Sequence, residues 1–201
     1  MNIVVCIKQV PDTTEIRIDP VKNTLIRTGV PSIMNPFDKN ALETGLQLKD
    51  QYGGKVTVIS MGPPQAKEVL REALAMGADE AYLVTDRAFG GSDTYATSYI
   101  LSEAIKKLGS YDIILGGKQA IDGDTGQTAP SIAEHLGATR LTYVLSLKVE
   151  GDKVIARRQV EEGIEVVETQ FPVLCTATKE SNKPRYATVK GVMRSCRTEI
   201  G

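Results

Sequence analysis

Two periods of apolar residues alternate along this chain. Ile3-Val4-Val5-Cys6-Ile7, Val56-Thr57-Val58-Ile59, Ala81-Tyr82-Leu83-Val84 and the run from Asp112 to Leu115 are short and nearly continuous in apolar side chains. That is the pattern of strands covered on both faces. Between them the spacing becomes helical. Phe37, Ala41, Leu42 and Leu46 form one stripe, and Ala66, Val69, Leu70, Ala73 and Leu74 a second. Thr97, Ile100, Leu101, Ala104, Ile105 and Leu108 form a third, and Ala129, Ile132, Ala133 and Leu136 a fourth. Punctuation supports the helices. Asn35-Pro36-Phe37-Asp38 is a start signal, with Asn35 as cap, Pro36 in the first helical position and Asp38 as a short capping-box acid. Gly53-Gly54, Gly77, Gly109 and Gly137 sit where helices stop. Alternating β and α elements predict an α/β fold: a parallel, doubly wound sheet with helices on both faces.

Two stretches leave this rhythm. Glu15 to Ile18 and Thr24 to Arg27 alternate around a turn, which predicts a small hairpin inserted after the first strand. Residues 141–171 also alternate. Val144 to Val149, Val154 to Val160 and Ile164 to Thr169 flank two turns, predicting an antiparallel β meander at the sheet edge. Pro172 to Thr176 is apolar again and suits a return to the central sheet. The tail, 179–201, is basic and polar with Pro184 and Gly191, and no element is predicted there. It is either a solvated loop or a docking segment. The 201 residues fit one domain, 1–201, with the meander inside it.

In open parallel sheets, ligands sit beyond the carboxyl ends of the strands. That rule groups Cys6 to Gln9, Asn35 to Asp38, Ser60 to Gly62, Ser92 to Thr97 and Gly116 to Thr128. The last segment is the richest. A glycine-containing turn from strand to helix presents backbone N–H groups at the positive end of a helix dipole, which suits a phosphate. It is not a P-loop, since no Gly-Lys-Ser/Thr closes it. Read as a calcium loop it lacks both ligands and the required glycine. A polar turn with no ligand is the alternative. If φ at Gly126 is negative, Gly126→Val is expected to strip a nucleotide and spare the fold.

Composition narrows the classes. The formal net charge of −1 favours no nucleic acid. Three separated cysteines, Cys6, Cys175 and Cys196, point to a reducing compartment and no metal site. The first apolar run is too short for a membrane span or a signal sequence, so a cytoplasmic location is expected. His135, the single histidine, is expected to be structural near a helix end.

Five segments carry a family resemblance: Val5-Cys6-Ile7-Lys8-Gln9-Val10-Pro11, Met34-Asn35-Pro36-Phe37, Leu74-Ala75-Met76-Gly77-Ala78-Asp79, Gly117-Lys118-Gln119-Ala120-Ile121-Asp122, and Asn182-Lys183-Pro184-Arg185-Tyr186-Ala187-Thr188. On these, in order and across the whole chain, it resembles the β subunit of an electron transfer flavoprotein. The resemblance implies a Rossmann-like, adenine-nucleotide-binding domain in an α/β heterodimer that shuttles electrons through flavin. Such β subunits bind AMP in the common class and a second FAD in the bifurcating class. The family's cofactor segments match Cys6, Asn35, Pro36, Phe37, Asp38 and Met61. They also match Gly117, Lys118, Gln119, Ala120, Ile121, Asp122, Gly123, Asp124, Thr125, Gly126, Gln127 and Thr128. Backbone N–H groups of Gly123 to Thr128 would meet the pyrophosphate, with Asn35 and Asp38 near the adenosine. Asp122 is equally readable as a turn residue or cap.

The bifurcating class is favoured, with FAD as the cofactor. Gly123, Thr125 and Gly126 are small, and Gly91 to Ser98 resembles that class, placing the hydroxyls of Thr94 and Thr97 on FAD. NADH would be the reductant. The implied partners are the α subunit, an acyl-CoA or lactate-type dehydrogenase, and ferredoxin or flavodoxin, so the chain would form part of a flavin-dependent oxidoreductase complex. Arg185, Tyr186, Val189 and Met193 fall in the family's partner-recognition stretch, or else pack as an ordinary loop. Family members usually continue into a C-terminal arm that wraps the α subunit, which this sequence does not contain. Two other readings stand beside this one. A stand-alone adenine-nucleotide-binding module would be colourless and have no partner. An adenylating enzyme would need a glycine-serine triphosphate loop that Lys8 to Asp12 does not supply.

Overall fold

The computed structural model describes residues 1–12 and 31–201. The hairpin expected over 15–27 lies outside the described residues. In chain order the elements are β1 (Asn2–Cys6), β2 (Gln9–Pro11), β3 (Ser32–Met34), α1 (Pro36–Tyr52), β4 (Lys55–Met61), α2 (Lys67–Met76), β5 (Glu80–Val84), α3 (Thr94–Leu108), β6 (Ile113–Gly117), α4 (Thr128–Leu136), β7 (Thr139–Glu150), β8 (Lys153–Val160), β9 (Gly163–Gln170), β10 (Val173–Ala177) and α5 (Val189–Arg197). Eight strands form one sheet in the order β5-β4-β1-β6-β10-β7-β8-β9, and β2 pairs separately with β3.

From β5 to β7 every neighbour is parallel. β7, β8 and β9 are antiparallel, which is the predicted meander. β10 does return to the centre and inserts between β6 and β7. The meander is therefore continuous with the main sheet.

Both faces are covered, so strand side chains divide by parity. Ile3, Val5, Ile113, Leu115, Val173 and Cys175 meet Leu42, Leu46, Leu70 and Leu74 of α1 and α2. Val4, Ile114 and Leu174 meet Leu101, Ile105 and Ile132 of α3 and α4. Leu42 is fully buried, and truncating it to Ala would cost about 2–5 kcal/mol. Gly45 brings α1 close to the sheet. A Cβ there would lie 3.2 Å from Leu115 Cδ1 and 3.3 Å from Val5 Cγ2. That approach sets the first turn of α1 at the carboxyl edge of β1 and β6.

The tail departs from expectation. Residues Val189–Arg197 form a helix, α5, capped by Thr188, whose side-chain oxygen accepts from Gly191 N. It lies on α2. Arg194 Nη2 donates to Leu74 O at 3.0 Å and Ala78 O at 2.9 Å, and Arg71 donates to the carbonyls of Ser195 and Thr198. Gly201 then pairs with the backbone of β5 at Ala81 and Leu83.

Candidate functional site

The chain runs β1, β4, β5 outward on one side, then crosses back to place β6 on the other side of β1. The order reverses between β1 and β6, so the segments leaving their carboxyl ends pass to opposite faces, α1 to one core and α4 to the other, and open a crevice. A cleft of about 510 Å³ lies there, within the size range of cofactor sites. Its walls come from the five segments grouped by the topology rule. Cys6 and Lys8 follow β1, Asp38 belongs to α1, and Met61 ends β4. Ser92, Thr94 and Thr97 open α3, and Gly117 to Ala120 with Gly123 to Gly126 and Thr128 lead into α4.

The first turn of α1 differs from its predicted capping box. Asn35 is the cap residue by backbone, but its side chain makes no cap hydrogen bond. It is fully buried and reaches across to the loop after β6, where Nδ2 donates to Gln119 O at 2.8 Å and Oδ1 accepts from Ile121 N at 3.2 Å. Asp38 does not answer the cap either. Its Oδ2 accepts from Lys8 N at 2.8 Å, and its Oδ1 from Gly117 N at 2.9 Å. Burial pushes the Asp38 carboxyl up to about 7, against the lowering pull of the neighbouring Asn35 side chain, of those two backbone hydrogen bonds and of the Lys8 charge. The Cys6 thiol is pushed up to about 12 by burial, with the Asp38 carboxylate adding to it, so it stays a neutral wall of the cleft. Gly117 is required by contact, because a Cβ would lie 2.7 Å from Phe37.

The two helices that open on the cleft differ in how their N-termini are satisfied. α3 is capped by its own Asp93, whose carboxylate accepts from Ala96 N at 2.8 Å. α4 has Gln127 at the cap with no side-chain hydrogen bond. Pro130 carries no N–H. Ser131 N is the first donor of α4 with a carbonyl partner, Gln127 O at 3.0 Å. No acceptor within the described residues meets the N–H groups of Thr125, Gly126, Gln127, Thr128 or Ala129. Unmet donors at the positive end of a helix form an anion site. These donors fit a phosphate or pyrophosphate, and the cleft beyond them leaves room for the rest of a nucleotide.

The loop itself is held by Asp124 N to Ala120 O at 2.9 Å and by Gln119 Nε2 to Asp124 Oδ1 at 2.8 Å. Lys8 Nζ lies 2.8 Å from both oxygens of Asp122, a half-exposed ion pair. Gly126 has φ of 63°, so the condition for a simple Gly126→Val test is not met. Any side chain there is strained. Gly123 is outside the positive-φ region, and among the described residues a Cβ built on it meets nothing within 4 Å.

Of the other residues expected at the cofactor, Pro36, Phe37, Ile121, Asp122 and Gln127 are off the cleft wall, as is Asn35. Sequence reasoning missed Phe89, Leu101, Ala129 and Ile132, which form an apolar floor toward α3 and α4. Leu101, Ala129 and Ile132 were visible as helix-face residues, and only the tertiary structure turns their ends toward the cleft. His135, in the last turn of α4, stands edge-on to Tyr95 and Tyr99 with ring centroids at 5.3 and 5.7 Å.

In the tail, Arg185 is committed within the chain. It forms a two-pronged pair with the buried Glu43 at 2.8 and 3.0 Å, and a further contact to Asp50 at 2.8 Å. Tyr186, Val189, Val192 and Met193 are 87%, 81%, 47% and 57% exposed. The helix α5 thus presents its apolar stripe outward, while Ser195 is buried against α2.

The sheet with its reversal point, the uncapped helix and the crevice define an α/β domain with the layout of a nucleotide site. Comparison with known proteins gives the family. The electron transfer flavoprotein domain matches residues 22–200. An electron transfer flavoprotein subunit beta of Clostridium acetobutylicum is 64% identical over all of this chain and 77% of its own length. Subunit CarD of the caffeyl-CoA reductase-Etf complex of Acetobacterium woodii is 57% identical over 96% of this chain and 74% of its own. Protein FixA of Azorhizobium caulinodans is 48% identical over all of this chain and 74% of its own. The chain belongs to the electron transfer flavoprotein family, among its β subunits, and its role is electron transfer.

Proposed function

We propose that this chain is the β subunit of a bifurcating, two-flavin electron transfer flavoprotein, and that FAD is the nucleotide in the cleft. The carrying observation is the uncapped N-terminus of α4 facing a cleft that continues to the opening of α3. The N–H groups of Thr125 to Ala129 bind the pyrophosphate. Phe89, Gly91, Ser92, Thr94 and Thr97 line the far end, which supports a ligand longer than AMP. There the hydroxyls of Thr94 and Thr97 orient the ring system, and Leu101 and Ile132 exclude water from beneath it.

Bound flavin would supply hydride acceptance from NADH and one-electron release to two acceptors, a dehydrogenase and ferredoxin or flavodoxin. The Cys6 thiol, held neutral, takes no part. The relative from Acetobacterium woodii is by name a subunit of a caffeyl-CoA reductase complex, which favours an acyl-CoA dehydrogenase-type partner for this chain. The outward apolar stripe of α5, with Tyr186, is the surface that fits a brief contact with it. Acid extraction of the purified complex with the α subunit tests the reading. Two FAD per heterodimer and no AMP is the expected result. One FAD and one AMP would assign the cleft to AMP, the conventional class, and one FAD with no second nucleotide would refute nucleotide binding here.

A further inference from the structure

We infer that the first turn of α1 is a positioning clamp that shapes the nucleotide loop from behind: Asp38 ties together the two strand ends that form the crevice, and Asn35 fixes the loop that follows. This rests on the cleft being the nucleotide site. One carboxylate bridges the crevice, accepting from Lys8 N after β1 and from Gly117 N at the end of β6. The ionised carboxylate accepts at both oxygens at once, whereas an amide would turn an NH₂ toward one of the donors. Asn35 makes the complementary choice. It gives a proton to Gln119 O and takes one from Ile121 N, a pairing open to a primary amide and closed to a carboxylate. The backbone adds a third tie, Asn35 N to Lys8 O at 2.9 Å.

Gly117 holds the spacing, since nothing larger fits against Phe37. The clamp is rigid because α1 is seated by Leu42 and Leu46 in the main core. The loop it holds, 117–121, leads through Asp122 into Gly123 to Gly126, which line the cleft, and on to the N–H groups of Thr125 to Ala129 that have no acceptor within the described residues. Asn35 is off the cleft wall, and Asp38, although it lines the cleft, has both oxygens engaged with backbone. Their effect on the nucleotide therefore passes through the loop.

The test uses the full chain co-purified with its α subunit, with FAD and AMP as probes. Asp38→Asn and Asn35→Ala are compared with Val69→Ala, a core truncation in α2. In the nucleotide-free protein, amide hydrogen exchange across 117–127 should quicken by about tenfold or more in both clamp variants, each having lost a hydrogen bond to a buried group. Dissociation constants for the probes should rise by a similar factor of about ten. Val69→Ala should lower the melting temperature and change neither readout. Unchanged exchange in 117–127, or an equal change in Val69→Ala at equal loss of melting temperature, overturns the clamp. Wild-type protein that binds neither probe would refute the nucleotide reading instead, while the exchange measurement still decides whether the clamp orders the loop.

Discussion

Gly123→Val separates binding from folding more cleanly than any other change in the loop. Gly123 lines the cleft, lies outside the positive-φ region, and among the described residues has open space where a Cβ would be. A loop substitution without clash or strain should move stability by no more than about 0.5 kcal/mol. A branched side chain would, however, keep a phosphate from the backbone beside it. Losing one charge-assisted hydrogen bond costs about 1.5–3 kcal/mol, which corresponds to roughly a tenfold to hundredfold loss of affinity. The expected outcome is an α/β complex with wild-type melting temperature and depleted nucleotide content, measured by extraction and chromatography. Gly126→Ala is the counterpart. With φ of 63° it carries about 1–2 kcal/mol of backbone strain, so stability should fall with it. Undiminished nucleotide content in Gly123→Val would refute the assignment of this loop to the pyrophosphate.

Three further outcomes are expected. The Asp38 carboxyl, raised by burial from 3.8 to about 7, is protonated in the folded chain and ionised in the unfolded chain between those values. Its contribution therefore makes stability fall as pH rises from about 4 to about 7, by on the order of 4 kcal/mol, with the full loss present above that window. The neighbouring Cys6 thiol stays neutral throughout it, and denaturation midpoints of wild type minus Asp38→Asn across that range check the sign. Val189→Ala should slow electron delivery to the dehydrogenase by several-fold, about 1 kcal/mol of anchor contact, while flavin content and NADH reduction stay unchanged; a wild-type transfer rate would sink the docking role of α5. NADH should reduce the complex faster than NADPH, as the resemblance to the bifurcating class implies; equal rates in anaerobic stopped flow would contradict this.

The sequence by itself determined the layered architecture. The short, nearly continuous apolar runs at 3–7, 56–59 and 112–115, bounded by turn residues, fit strands buried on both faces, and the helical stripes between them supply the two covers. Topology then grouped five distant segments at one edge of the sheet, because carboxyl ends of parallel strands lie together whatever fills the gaps between them. α5 was legible in part, since Val189, Val192, Met193 and Cys196 repeat at helical spacing after a Thr188 cap, but the surrounding basic residues hid it. Only the tertiary structure showed that this stripe faces outward and that Arg185 belongs to Glu43, 142 residues away. It alone also turned the apparent capping box at Asn35 and Asp38 into a bridge between the strand ends. A cap is a local motif, whereas those side chains answer donors and acceptors 30 to 86 residues distant, which come within reach only once the sheet has formed. Periodicity specifies which face of an element is buried. The partner of a buried polar group depends on which chain end arrives opposite it, and that is decided in three dimensions.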